Sequence, residues 1–307
     1  MTALIAFLLL APYCPSDSAR ALLTIRDVPL RALLFAEQGA RTEGTEVIEL
    51  ARLLELAGRF ADAARVYSLA VAQTDPTTPG WLSDRLRGVS TLDTTLVLEA
   101  CLRNRGATTV RNVVLMVPRP TSHEPYQTIR ILESDFSGGG PVLTCVVDSL
   151  APGARVFRSI RLEVRQRPHT FRPIHAALGD DILRSLIEIA RRVEGTRADP
   201  GPCLEMSREL AEQARENIVP IHVAGGVMFR GDSLVFHAWT VLDSVIPGLP
   251  IDPLLMRTDS MMAVGHCPSD MIPLWNLDYT DGCELSALYS GISSNLEMNM
   301  RAYFTGR

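Results

Sequence analysis

The sequence predicts a multidomain α+β chain, in which an N-terminal helical hairpin and a β-sandwich precede a C-terminal unit that runs helices first and strands after. Three observations carry this. Apolar residues recur at helical spacing over residues 47–76, the pattern changes to period two between residue 91 and about residue 167, and two amphipathic stretches followed by two apolar runs begin near residue 173. At 307 residues, 47% hydrophobic and 21% charged, the chain can bury a substantial core and should split into two or three units. The longest apolar run, residues 3–11, falls short of the roughly 20 residues that cross a bilayer as a helix, which excludes a transmembrane bundle. With 30 basic against 35 acidic residues, a net charge of -5 and no long basic block, a nucleic-acid partner held by phosphate neutralisation is not expected. Every basic residue is arginine; the chain contains no lysine.

Taken in order, residues 1–20 read as a signal peptide. The run 3–11 has the length of a secretory apolar region and is followed by Pro12, Pro15 and the small residues Ser18 and Ala19, so export to the periplasm or exterior is expected. Cys14 follows Tyr13, where lipidation would want a small residue. Residues 21–88 are helical, with one clear hairpin broken at Gly58 and Arg59. The positions of Gly58, Ala63, Tyr67, Ala70 and Pro76 resemble a single tetratricopeptide repeat. A lone copy has no stacked neighbours, so it should pack on the next domain instead of forming a peptide-binding solenoid.

Residues 91–168 read as the sandwich. Ile160, Leu162 and Val164 alternate with Arg161, Glu163 and Arg165, and turn clusters stand at 104–106, 138–141 and 152–153. The triple glycine at 138–140 lacks the lysine of a phosphate loop and predicts a hairpin turn. Cys101 shares a face with Glu99 and Arg103, whereas Cys145 shares one with Leu143 and Val147, which argues against a bridge between them. Residues 173–307 form the C-terminal unit, with helices over 181–193 and 204–217 and strands over 221–229 and 234–245.

The chemistry concentrates in residues 201–253. Pro200, Gly201 and Pro202 deliver Cys203 to the start of a helix, where the partial positive charge and a nearby imidazole lower a thiol's pKa and where free backbone N–H groups can hold an oxyanion. His237 lies on the first of two strands joined by a turn near residues 244–248, and Asp252 lies on the second, so antiparallel pairing puts the carboxylate close to the ring. Three readings remain at this point: a nucleophilic triad, three structural residues, or a zinc site made by Cys203, His222 and His237, for which no HExxH or paired-cysteine spacing speaks. Cys267 and Cys283 allow a disulfide in an exported chain, or two free thiols.

The stretches GPCLEMSRELAEQAR, PIHVAGGVMF, FHAWTVLD and LPIDPLL together resemble the transglutaminase-like superfamily, related to papain-like enzymes, over about residues 181–255. NRGATTVRNVVLMVPRPTSHEPYQTI is similar to the β-domain that precedes this core in some exported bacterial members. The resemblance implies a transglutaminase-like (papain-like) C-terminal fold, with Cys203 as nucleophile, His237 as general base and acid and Asp252 as orienting carboxylate, and with no cofactor or metal. Leu249 replaces the tryptophan that commonly precedes the Asp-Pro pair, and residues 197–202 lack an aromatic ahead of the cysteine. The implied function is acyl transfer through a thioester on a peptide or protein amide, with hydrolysis preferred to amine transfer. The alternative is a non-catalytic exported binding or scaffold protein with a residual triad.

Overall fold

The computed structural model describes residues 47–73, 81–170, 180–192, 202–216, 219–230, 233–243, 248–257, 263–277, 286–290 and 295–305. It is a mixed α+β molecule, mostly strand, with its β-structure divided among several sheets. The proposed leader, residues 1–20, and Pro76, Cys14 and Cys283 lie outside the described residues. Among the described residues no helix is long and apolar enough to cross a membrane.

Helices α1 (Val47–Leu56) and α2 (Phe60–Gln73) form a hairpin whose turn follows from one residue. Gly58 adopts φ 75°, and the N–H groups of Gly58 and Arg59 return to the carbonyls of Glu55 and Leu54, closing α1 in the paired pattern that a left-handed glycine permits. Ala51, Leu54, Ala63, Tyr67 and Ala70 interlock between the helices, and α3 (Trp81–Gly88) closes this core with Leu82.

Strands β1 (Leu92–Asn104), β2 (Val110–Pro118), β3 (Gln127–Ser134), β4 (Val142–Leu150) and β5 (Arg155–Gln166) build the sandwich. Alternation makes it: Leu96, Leu98, Ala100 and Leu102 face inward and meet Leu162 and Ile160 of β5 across the ladder, while Val113, Leu115 and Val117 of β2 line the opposing sheet. The glycines at 138–140 lie in the β3–β4 connection, with Arg119 donating to the carbonyls of Gly140 (2.9 Å) and Gly138. Cys101 and Cys145 are both free thiols.

The C-terminal unit has α4 (Asp180–Arg192), α5 (Pro202–Glu216), β7 (Ile221–Arg230), β8 (Ser233–Leu242), β9 (Leu249–Ile251), β10 (His266–Cys267) and β11 (Met271–Asn276), with β6 (His169–Thr170) pairing β10. Its main sheet runs β11-β7-β8-β9. Ile221, Val223 and Val227 of β7 and Ala238 and Leu242 of β8 face the inner stripe Leu204, Met206, Leu210 and Ala214 of α5 in one core. Gly226 is required here, because a Cβ would enter the carbonyl oxygen of Ile272 on the adjacent β11.

The expected range 173–307 for this unit needs one correction. β12 (Ser286–Ser290) pairs with β2 and β13 (Leu296–Phe304) pairs with β1, so the sandwich sheets run β12-β2-β4 and β13-β1-β5-β3 and take their edge strands from the C-terminal end of the chain. Polar latches hold the parts together. Gln166 donates to the carbonyls of Met271 (2.6 Å) and Pro268 (3.1 Å), and the Ser269 amide donates to the Gly88 carbonyl at 2.8 Å.

Candidate active site

The site forms where the main sheet comes apart. β9 pairs with β8 only through Thr240↔Ile251, Val241↔Pro250 and Leu242↔Leu249, and the chain then turns at Asp252 into a 3-10 turn, Leu255–Arg257. Among the described residues no strand continues along that edge of β8 at His237 and Ala238. The N-terminus of α5 fills this place. Pro202 is its first residue, a position that loses no intrahelical hydrogen bond to proline, and half-buried Cys203 is its second.

Cys203 is hydrogen-bonded to the His237 ring, and the N–H groups of Ala238 and of Leu204 both point at its sulfur. Burial works against a thiolate here, but the hydrogen bond and charge of His237, joined by those two N–H groups, outweigh it and hold the Cys203 thiol below its ordinary range. His237 is buried, and its Nε2 lies 2.7 Å from Asp252 Oδ2, which leaves Nδ1 for the sulfur. Burial disfavours its charged form, yet the hydrogen bonds to Asp252 and Cys203 and the charges of both prevail and raise its pKa. Both shifts favour a thiolate–imidazolium pair.

Asp252 is fixed from its other oxygen. Oδ1 accepts from the backbone N–H groups of Leu254 and Leu255, each at 3.0 Å, so the carboxylate caps the 3-10 turn while Oδ2 serves the histidine. In the ladder Asp252 stands one step past Ile251 and hence diagonal to His237, not opposite it, a separation that an imidazole spans.

The three residues singled out in the sequence are therefore brought together. His222 is not among them: it sits four residues along β7 from Gly226, the partner of His237, roughly 13 Å away at about 3.3 Å per residue, and it pairs with Asp243 at 2.9 Å. A zinc site of Cys203, His222 and His237 is contradicted by that separation, and among the described residues no other group of three ligating side chains is placed to hold a metal. Cys267 is a free, buried thiol whose pKa is pushed up to about 12 by burial and then by Asp270. Leu249 is fully buried in β9.

Sequence reasoning missed two contributions. The N–H of Ala238 carries no side-chain signal. Gly226 lies on the same face of the sheet as His237 and directly across from it, and a glycine inside an apolar strand run is a sign of close backbone approach.

No protein-family model matches the chain, and no curated protein matches it in sequence. A solved structure from Cytophaga hutchinsonii, described as a proposed cysteine protease, is similar over 71% of this chain and 93% of its own, with 11% identity and a TM-score of 0.39, a likeness too slight to assign a fold or an activity.

Proposed function

We propose that the chain is a transglutaminase-like cysteine acyl-transfer enzyme, exported by its apolar leader, that acts on a peptide or protein amide with water as the preferred acceptor. One observation carries the reading: Cys203, His237 and Asp252 converge at a helix N-terminus with the thiol lowered and the imidazole raised. The Cys203 thiolate attacks the amide carbonyl carbon and the C–O π pair moves to oxygen. N–H groups of the first turn of α5, unpaired by helix geometry, are the donors available to that oxyanion. His237 then gives its proton to the departing amine as the C–N bond breaks, leaving a thioester. Water, deprotonated by the same ring, attacks the thioester carbon, and the thiolate leaves as the carboxylic acid forms.

A thiol-directed alkylating agent such as iodoacetamide tests the nucleophile. At pH 6 the parent protein should be labelled at Cys203, and Cys203→Ala should lose that labelling. Absence of labelling at Cys203 would leave a scaffold role. The missing lysines test the acceptor. Amine transfer joins an acyl group to an amine, and this chain has no lysine to offer, so conversion of peptide amides without any added amine supports hydrolysis, whereas products that require a small primary amine would replace it with a transglutaminase.

A further inference from the structure

The strand that delivers Asp252 to the site is short. β9 pairs with β8 for three residues and ends at Thr240↔Ile251. On its other side it meets residues 263–265: Ile251 bridges Val264, the Gly265 N–H donates to the Pro250 carbonyl, and the Asp252 N–H donates to the Ala263 carbonyl, both at 2.8 Å. Past Ile251 the chain turns away from β8, so the Ile251–Asp252 peptide is the last unit through which the sheet sets the direction of Asp252.

That peptide is gripped at both ends. Its N–H is the one given to Ala263, and its carbonyl, that of Ile251, accepts from the Thr240 hydroxyl at 2.9 Å. The Asp252 carbonyl then accepts from the Met256 N–H at 3.0 Å, while Oδ1 holds the N–H groups of Leu254 and Leu255. Among these bonds, Thr240 is the one side chain besides Asp252 itself; the others are backbone bonds open to any sequence. Thr240 also stands where a hydroxyl is out of place. Alternation along β8 sets it between Ala238 and Leu242, on the face packed against α5 in the apolar core, and it is fully buried. Burying a hydroxyl there costs desolvation that one hydrogen bond barely offsets, and a valine of the same shape would fill the space without that cost. Its bond falls on the carbonyl next to the residue that orients the imidazole. Because Asp252 lies diagonal to His237, a small rotation of this peptide swings Oδ2 off the line to Nε2, and a hydrogen bond weakens steeply with angle.

We propose that Thr240 is a positioning residue of the triad, its hydroxyl fixing the Ile251 carbonyl so that the Asp252 carboxylate is aimed at His237 Nε2. The inference rests on the acyl-transfer reading. The full-length chain and iodoacetamide test it: the rate of alkylation at Cys203, followed by peptide mass spectrometry from about pH 4 to 9, reads the thiolate and needs no substrate. A badly aimed carboxylate stabilises the imidazolium less, and the thiolate then loses part of its counter-charge. In Thr240→Val the midpoint of that curve should therefore rise by about half a pH unit, as befits one neutral hydrogen bond. On a peptide amide that the parent converts, kcat should fall about fivefold with KM unchanged. Thr240→Ser keeps the hydroxyl and should restore both midpoint and kcat. Should Thr240→Val fail to fold, Thr240→Ala against Thr240→Ser makes the same comparison. A lowered melting temperature with an unmoved midpoint, or a midpoint raised equally in the serine variant, would overturn the role. A reactive parent whose midpoint Thr240→Val leaves in place would overturn it while sparing the acyl-transfer reading, whereas a parent inert at Cys203 across the whole range would remove that reading and the role with it.

Discussion

Among the described residues two buried histidines lie against carboxylates at nearly the same distance, His237 hydrogen-bonded to Asp252 at 2.7 Å and His266 beside Glu55 at 2.8 Å without hydrogen-bond geometry, and their surroundings give them different work. The first has a third partner that titrates, a thiol at a helix N-terminus, and a carboxylate whose remaining oxygen is held by two backbone N–H groups. The second joins the helical hairpin to the C-terminal unit. Glu55 accepts from the Tyr67 hydroxyl at 3.0 Å and lies 3.7 Å from Arg85, and nothing nucleophilic faces it among the described residues. A histidine–carboxylate pair is thus no sign of catalysis by itself. What the ring's other nitrogen meets decides whether the pair moves a proton or ties two elements together.

The largest effects should fall on the first pair. Cys203→Ala should abolish turnover and thiol labelling together. His237→Ala should lower kcat by a factor on the order of 10³ or more with the fold intact, because the thiolate loses its counter-charge and the leaving amine its proton donor. His266→Ala, measured beside it by the same peptide assay on folded protein, should leave kcat within about twofold. Loss of turnover in His266→Ala without unfolding would erase the distinction between the pairs. Asp252→Asn comes next. An amide keeps an oxygen to cap Leu254 and Leu255 but presents the wrong partner to His237 Nε2, so a kcat loss on the order of 10²–10⁴ with an unaltered melting temperature is expected.

A loss of stability, not of chemistry, should mark the second pair. Glu55→Ala strands the buried Tyr67 hydroxyl and removes the carboxylate beside the His266 ring, at a cost of about 1–3 kcal/mol in urea denaturation. Asp252→Asn in the same assay should cost less, since its cap survives. Equal losses would mean that the Asp252 carboxylate is also a structural clasp.

The difference between the pairs also explains what the sequence could show. Cys203, His237 and Asp252 were legible because each carries local flanks, Pro-Gly-Pro before a helix, an apolar strand around the histidine and an Asp-Pro after a turn, and because strand pairing between near neighbours along the chain has few solutions. Gly58 was legible for the same reason, its turn being local. The clasp was not. Glu55 sits in an ordinary amphipathic helix, and nothing within reach of it along the chain announces His266. The ends of β12 and β13 failed similarly: Met298, Met300 and Ala302 alternate with Asn299, Arg301 and Tyr303, which marks a strand, but alternation does not say which sheet it joins. Non-local pairing is what period-two patterns leave open.

The smallest effect, and the one that separates the pairs without mutation, is that of pH. The lowered Cys203 thiol and raised His237 imidazole predict that kcat/KM rises with pH as the thiolate forms, with its midpoint below the ordinary thiol value of about 8.5, and falls only above the ordinary histidine value of about 6.5, as the imidazolium is lost. Beside the clasp, Asp270 behaves in the opposite sense. Burial raises its carboxyl to about 7, with the charge of Glu55 adding and those of Arg85 and Arg87 opposing. Its folded pKa lies above the unfolded value of about 3.9, so its contribution to stability is complete below pH 4 and is lost as pH climbs through 7. Between pH 5 and 7.5 activity should therefore increase while the contribution of Asp270 to the melting temperature declines. Comparison with Asp270→Asn isolates that share: the variant should lose less melting temperature than the parent over this interval, and its kcat/KM profile should overlay the parent's. Parallel melting curves for parent and variant would show that Asp270 does not titrate here, and a displaced kcat/KM profile would show that the two pairs are electrostatically coupled after all.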